Sequence, residues 1–322
     1  MGGLGPPAVA DESPLQSRTE SLVLVEGVAS RLMDALTGGV ILAGLALLLG
    51  ADNLTLALIA ALPFFAQVAQ LPAVALLLRV HDRRKVAVAA TLAARLVLLV
   101  LAVLLALHRL ALPALVAFTA LLAALTVLST AAWNAWMRDA MDPGRLGRFF
   151  AFRQQVATIV GGLGLLGAGW LLDSGLAARP HAGYALLFAA GGAAGLVSVW
   201  LLARTPQPAA VLPGQGERRS ALHHMVQAMR RSGHGWMAAS LSLASCSLAV
   251  ALPFSSVYLL RGLGYSFLAV TGLALASQVA YVLGLRAWGR LSDGHGNRPV
   301  LQVASLLLAA CLVGWSVTWP PG

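Results

Sequence analysis

The 322-residue chain is 59% hydrophobic and 11% charged, with a mean hydropathy of +0.81. Soluble proteins carry about 25% charged residues, so this composition excludes a soluble globule and turns most of the surface toward a lipid bilayer. The net charge of +10 does not imply nucleic acid, because the basic residues sit in short clusters between apolar runs, as membrane topology requires.

Residues 1–27 are polar and lack the basic-then-apolar order of a cleaved leader. They read as a disordered tail. Beyond it, a membrane-crossing helix needs about 20 mostly apolar residues. Nine segments meet that length, at about 28–50, 54–79, 86–107, 111–137, 150–172, 182–202, 235–260, 265–289 and 299–319. In lipid the backbone must satisfy its own hydrogen bonds, so each run is expected to be helical. The fold class is therefore all-α and polytopic.

The basic residues then fix an orientation. One set of loops holds Arg79, Arg83, Arg84 and Lys85; Arg138, Arg145, Arg148 and Arg153; Arg204, Arg218, Arg219, Arg230 and Arg231; and Arg286, Arg290 and Arg298. Arg18 and Arg31 join this set. The alternate loops hold Arg109, Arg179 and Arg261. The excess of basic residues belongs on the cytoplasmic side, which places the N-terminus in the cytoplasm of a cell whose cytoplasmic membrane holds the protein. Arg95 is left over from both sets and falls deep inside a span.

The longest loop, 203–234, separates a six-helix bundle (28–202) from a second, three-helix part (235–322). Leu222, Met225, Val226 and Met229 have helical spacing in this loop. They predict an amphipathic helix on the cytoplasmic face; a binding site at His223 and His224 is the alternative. Helices two and eight, and three and nine, start about 210 residues apart, the trace of a parallel repeat. The turn after the second helix, Arg79-Val-His-Asp82-Arg-Arg-Lys85, corresponds to Gly289-Arg-Leu-Ser-Asp293-Gly-His-Gly296-Asn-Arg298-Pro299 after the eighth. In the latter, glycines permit a tight turn and Pro299 suits a helix start.

The pattern Gly289, Asp293, Gly296 and Arg298 resembles the loop motif of the major facilitator superfamily, a large group of secondary transporters. The first copy lacks the glycines, which weakens the usual gating role there. A second resemblance lies at the fourth-to-fifth turn, Arg138-Asp-Ala-Met-Asp142-Pro143-Gly-Arg145-Leu-Gly147-Arg148. It is similar to the Asp-x-x-Pro-x-x-Arg-Gly-Arg turn of bacterial members; a plain topological anchor of arginines is the other reading. The resemblance covers about 28–319 and implies twelve spans in two bundles, with transport of a small-molecule substrate between them. The nine spans counted here then imply a product truncated after the ninth helix, or a fragment of a longer chain.

Charges within spans are functional candidates. Asp34 is expected about 9 Å deep in the first helix and Arg95 about 14 Å deep in the third, at 1.5 Å per residue. Their depths permit an ion pair, either static or broken and remade during transport, and a proton on Asp34 would couple transport to a proton gradient. Glu26 and Arg31 read as interfacial. Gln67, Gln70, Asn134, Gln278 and Tyr281 are candidates for a polar substrate path, with interhelical hydrogen bonding as the alternative. Phe64, Phe65, Phe254 and Tyr258 suit an apolar or amphiphilic substrate. Gly161, Gly162, Gly164, Gly167 and Gly169 allow close helix approach in the fifth span. Cys246 and Cys311 lie in apolar runs and read as small buried hydrophobes.

No P-loop, zinc-protease helix or paired carboxylates occur, so no enzyme, cofactor or metal is expected. Three functions follow: a transporter, a non-transporting scaffold or inactive paralogue, and, least favoured, an intramembrane enzyme.

Overall fold

A computed structural model of the chain describes residues 14–77, 80, 82–140, 146–174, 179–206, 255–295 and 297–318. The 203–234 loop beyond 206, with His223 and His224, and the seventh candidate span up to 254 lie outside them. The helices are α1 (Pro14–Thr37), α2 (Gly39–Leu48), α3 (Asn53–Ala66), α4 (Gln70–Leu77), α5 (Arg83–Ala106), α6 (Leu112–Ala140), α7 (Leu146–Asp173), α8 (Pro180–Arg204), α9 (Phe267–His295) and α10 (Asn297–Thr318). Among the described residues, six segments are long and apolar enough to cross a membrane: Arg18–Leu48, Arg83–Ala106, Leu112–Arg138, Phe149–Asp173, Pro180–Arg204 and Phe267–Gly284. Asn53–Ala69 and Pro299–Cys311 are shorter apolar helices. The protein is a polytopic all-α membrane protein.

The chain forms two compact units, Met1–Gly272 and Leu273–Gly322. In the first, α1 packs on α7 and α8, α5 on α6 and α8, and α6 on α3 and α4. One apolar core centres on Ile41, Leu45, Leu101, Leu105, Leu115 and Phe188; a second holds Val23, Ala87, Ala132, Trp136, Met137 and Leu202. The second unit carries large exposed apolar side chains, Leu283, Leu306 and Val313 among them. Cys311 is exposed rather than buried.

The start of the chain departs from the reading as a tail. Helix α1 begins at Pro14, and Val23 and Glu26 are buried. The physical reason is compensation: Glu26 meets its counter-charge on another helix, so a polar sequence enters the bundle. The first span is also broken. Gly38 is extended, Gly39 has φ +52°, and the Gly38 carbonyl accepts from Ile41 and Leu42 at 3.1 and 3.3 Å to start α2. Positive φ is accessible to glycine at little cost.

The second span breaks for a different reason. Pro72 has no N–H to give the Val68 carbonyl and its ring crowds that group. A 3₁₀ turn, Gln67–Ala69, separates α3 from α4 at this place. Two aspartates then start helices. Asp52 accepts from the Thr55 N–H at 2.8 Å, and Asp82 from the Lys85 N–H at 2.9 Å. Hydrogen bonds from Thr55 hold the Asp52 carboxyl below the ordinary range, and the Lys85 N–H does the same for Asp82. Asp82 therefore acts as a helix cap.

Candidate functional site

On α1, Glu26, Ser30 and Asp34 recur every fourth residue, so they share one helix face. That face lines a cavity of about 270 Å³ enclosed by α1, α5, α6, α7 and α8. Helix α5 contributes Thr91 and Arg95; α6 contributes Thr126, Ser129, Thr130, Trp133 and Asn134; α7 contributes Arg153. Four helices thus converge polar groups on one space within the first unit, and α8 adds the apolar Leu202.

An ion pair lines the cavity. Arg153 Nη2 donates to Glu26 Oε2 at 2.8 Å, with side-chain exposures of 17% and 8%. Its Nε donates to the Val23 carbonyl at 3.0 Å, and its guanidinium lies 5.0 Å from the Trp133 ring centroid, a cation–π contact. The other carboxylate oxygen of Glu26 accepts from Ser30 at 2.9 Å and from the fully buried Ser198 at 3.0 Å. A buried charge is tolerable only when paired and hydrogen-bonded in this way. Gly27 makes room: a Cβ there would fall within 2.5 Å of Arg153 Cζ. Arg153, counted from the sequence among the basic residues of the cytoplasmic loops, and Glu26, read as interfacial, are both held within the bundle by this contact.

Asp34 and Arg95 line the same cavity. Arg95 lies twelve residues into α5, about 18 Å along the helix and near the middle of a hydrocarbon layer about 30 Å thick. Its stem packs on α8 at Gly195, where a Cβ would stand 2.7 Å from Arg95 Cδ. Its Nε is buried without a hydrogen-bond partner among the described residues, as is Trp133 Nε1. Asp34 stays exposed, one turn before the break between α1 and α2. No ion pair joins Asp34 and Arg95 among the described residues. The expected pair is thus assembled around one space but left open, with the stem of Arg95 packed on α8.

The remaining expected positions divide. Asn134 lines the cavity. Gln67 and Gln70 are exposed on the second span, as are Gln278 and Tyr281 on α9. Arg138 ends α6 exposed, Gly147 is exposed at the start of α7, and Asp142, Pro143 and Arg145 lie outside the described residues, as does the Arg148 side chain. The backbone is helical at Gly289, Asp293 and Arg298, so α9 continues to His295 and α10 starts at Asn297. The turn expected over 289–299 is therefore far narrower; Gly296 and the side chains of Asp293 and Arg298 lie outside the described residues. The glycines of α7 act by close approach at Gly161 against Arg31, Gly164 against Leu32 and Gly169 against Thr271, while Gly167 meets open space.

A separate polar contact lies at the other end of α7. Asp173 accepts from the Phe267 and Leu268 N–H groups at 3.0 and 2.6 Å, capping α9 within the first unit. Carboxylates at a helix N-terminus are favoured by its free N–H groups and dipole.

Among known proteins, the profile described as Major Facilitator Superfamily matches residues 27–321. No curated protein and no solved structure matches the chain. The match spans most of the chain, both units included, and it is to a family of transporters, not of enzymes: the chain belongs to the major facilitator superfamily.

Proposed function

We propose that the protein is a secondary active transporter of a small solute, working by alternating access in the cytoplasmic membrane with its N-terminus in the cytoplasm. The observation that carries this reading is the charged cavity of the first unit. Charged side chains within membrane helices cost several kcal/mol unless they serve a pathway or a partner, and a scaffold needs neither Asp34 nor Arg95 unpaired. The broken first span beside Asp34 supports the same reading, since interrupted helices accompany solute sites in transporters. A six-helix first bundle over 28–202 and a second bundle over 235–322 are part of this proposal, as is the 203–234 linker.

Coupling to protons is a second reading, favoured by an Asp34 carboxyl that lines the cavity without an ion pair among the described residues. The deciding experiment is reconstitution of the full chain in proteoliposomes, exposed to a cell extract with and without a pH gradient, with the accumulated solutes identified by mass spectrometry. Accumulation above that of empty liposomes is expected. Equal contents would leave the scaffold reading. Topology has its own test: in a cysteine-free background, Asp82→Cys, Asp142→Cys and Gly294→Cys should resist an impermeant thiol reagent in intact cells. Labelling of all three would reverse the orientation.

A further inference from the structure

The cavity holds four formal charges, and they are not equivalent. Glu26 and Arg153 consume each other at 2.8 Å. Asp34 and Arg95 remain, one negative and one positive, without a direct ion pair among the described residues. Arg31 packs its stem on Gly161 of α7 and does not line the cavity. The uncommitted charge is therefore a separated pair with no net sign. On the same cavity, Trp133 leaves a second buried N–H without an acceptor among the described residues. Buried donors of this kind cost free energy until an acceptor arrives.

From this arrangement we infer that the cavity binds a small zwitterion, its ammonium group at Asp34 and its carboxylate at Arg95. A lone anion would satisfy Arg95 and face Asp34; a lone cation would do the reverse. A zwitterion satisfies both and leaves the net charge of the site unchanged. Size agrees: about 270 Å³ is below the roughly 300–1,000 Å³ of pockets for drug-sized ligands. This assignment rests on the transporter reading and names its substrate class.

The test uses three probes of one skeleton: norvaline, pentanoate, which lacks the ammonium, and butylamine, which lacks the carboxylate. Binding to the detergent-purified full chain is measured by calorimetry. Norvaline is expected to bind at least about tenfold more tightly than either analogue, since each charged hydrogen-bonding group contributes about ten- to hundredfold. Asp34→Asn should remove the advantage of norvaline over pentanoate, and Arg95→Gln its advantage over butylamine. Arg95→Lys, which keeps the charge, should retain the preference for norvaline and guards against misfolding of the Gln variant. Equal binding of either analogue to the unaltered chain, or no norvaline binding up to about 10 mM, overturns the zwitterion assignment. Solute accumulation from cell extract decides the transporter reading separately, so that reading can survive the loss of this one.

Discussion

Two acid–arginine sets share one cavity but stand in different states. Glu26 and Arg153 are closed on each other, buried, and tied to Val23, Ser30, Ser198 and Trp133. Asp34 and Arg95 are open, without an ion pair among the described residues, and Arg95 has an orphaned donor. The difference teaches that a charge within a span is not by itself a functional mark. The closed set joins α1, α7 and α8 and belongs to the architecture. The open set is where a solute has something to gain.

The largest expected effect comes from breaking the closed set. Arg153→Ala strands the buried Glu26 carboxylate and should cost about 3–5 kcal/mol, read as a fall in unfolding temperature of the solubilised protein. Arg153→Gln combined with Glu26→Gln should cost less than Arg153→Ala, because no unpaired charge is left. Next is Gly27→Ala, whose Cβ would overlap the Arg153 guanidinium; overpacking of this kind costs about 1–3 kcal/mol. Ser198→Ala removes one donor to Glu26 and should cost about 1.5–3 kcal/mol, the range for hydrogen bonds to charged groups.

Smaller effects sharpen the contrast. Gly167 has open space around its Cβ position, so Gly167→Ala should raise stability by about 0.5–1 kcal/mol, the helix advantage of alanine. The smallest effect is at Asp82. Its folded carboxyl titrates below the ordinary 3.8, so its contribution is present above that value and lost as pH falls through the lower folded one. Asp82→Asn should lower stability slightly at neutral pH and converge with the unaltered chain once acid protonates Asp82, which flattens the loss of stability in acid; a difference that persists unchanged in acid would contradict a role for the charged carboxylate.

Much of this was readable from the sequence. Apolar length located the long spans, and Asp34 and Arg95 were singled out as charges within them. Asn134, a candidate for a polar substrate path, lines the cavity. The start of α1 was not legible, because Arg18, Glu20, Glu26 and Arg31 make that stretch look aqueous. Its counter-charge, Arg153, lies 127 residues away, beyond the reach of any local periodicity. One signal was available: Glu26, Ser30 and Asp34 form a polar stripe at four-residue spacing. Gln67 and Gln70 are exposed on the second span, and composition does not say which face of a broken helix is turned inward.

The most direct test of the account is the unfolding temperature of four isosteric or near-isosteric neutral variants side by side: Glu26→Gln, Arg153→Gln, Asp34→Asn and Arg95→Gln. The first two should fall by several degrees, while Asp34→Asn and Arg95→Gln should hold or rise, since neither loses an ion pair. A fall in the second pair as large as in the first would show that all four charges are structural, and would contradict an open site.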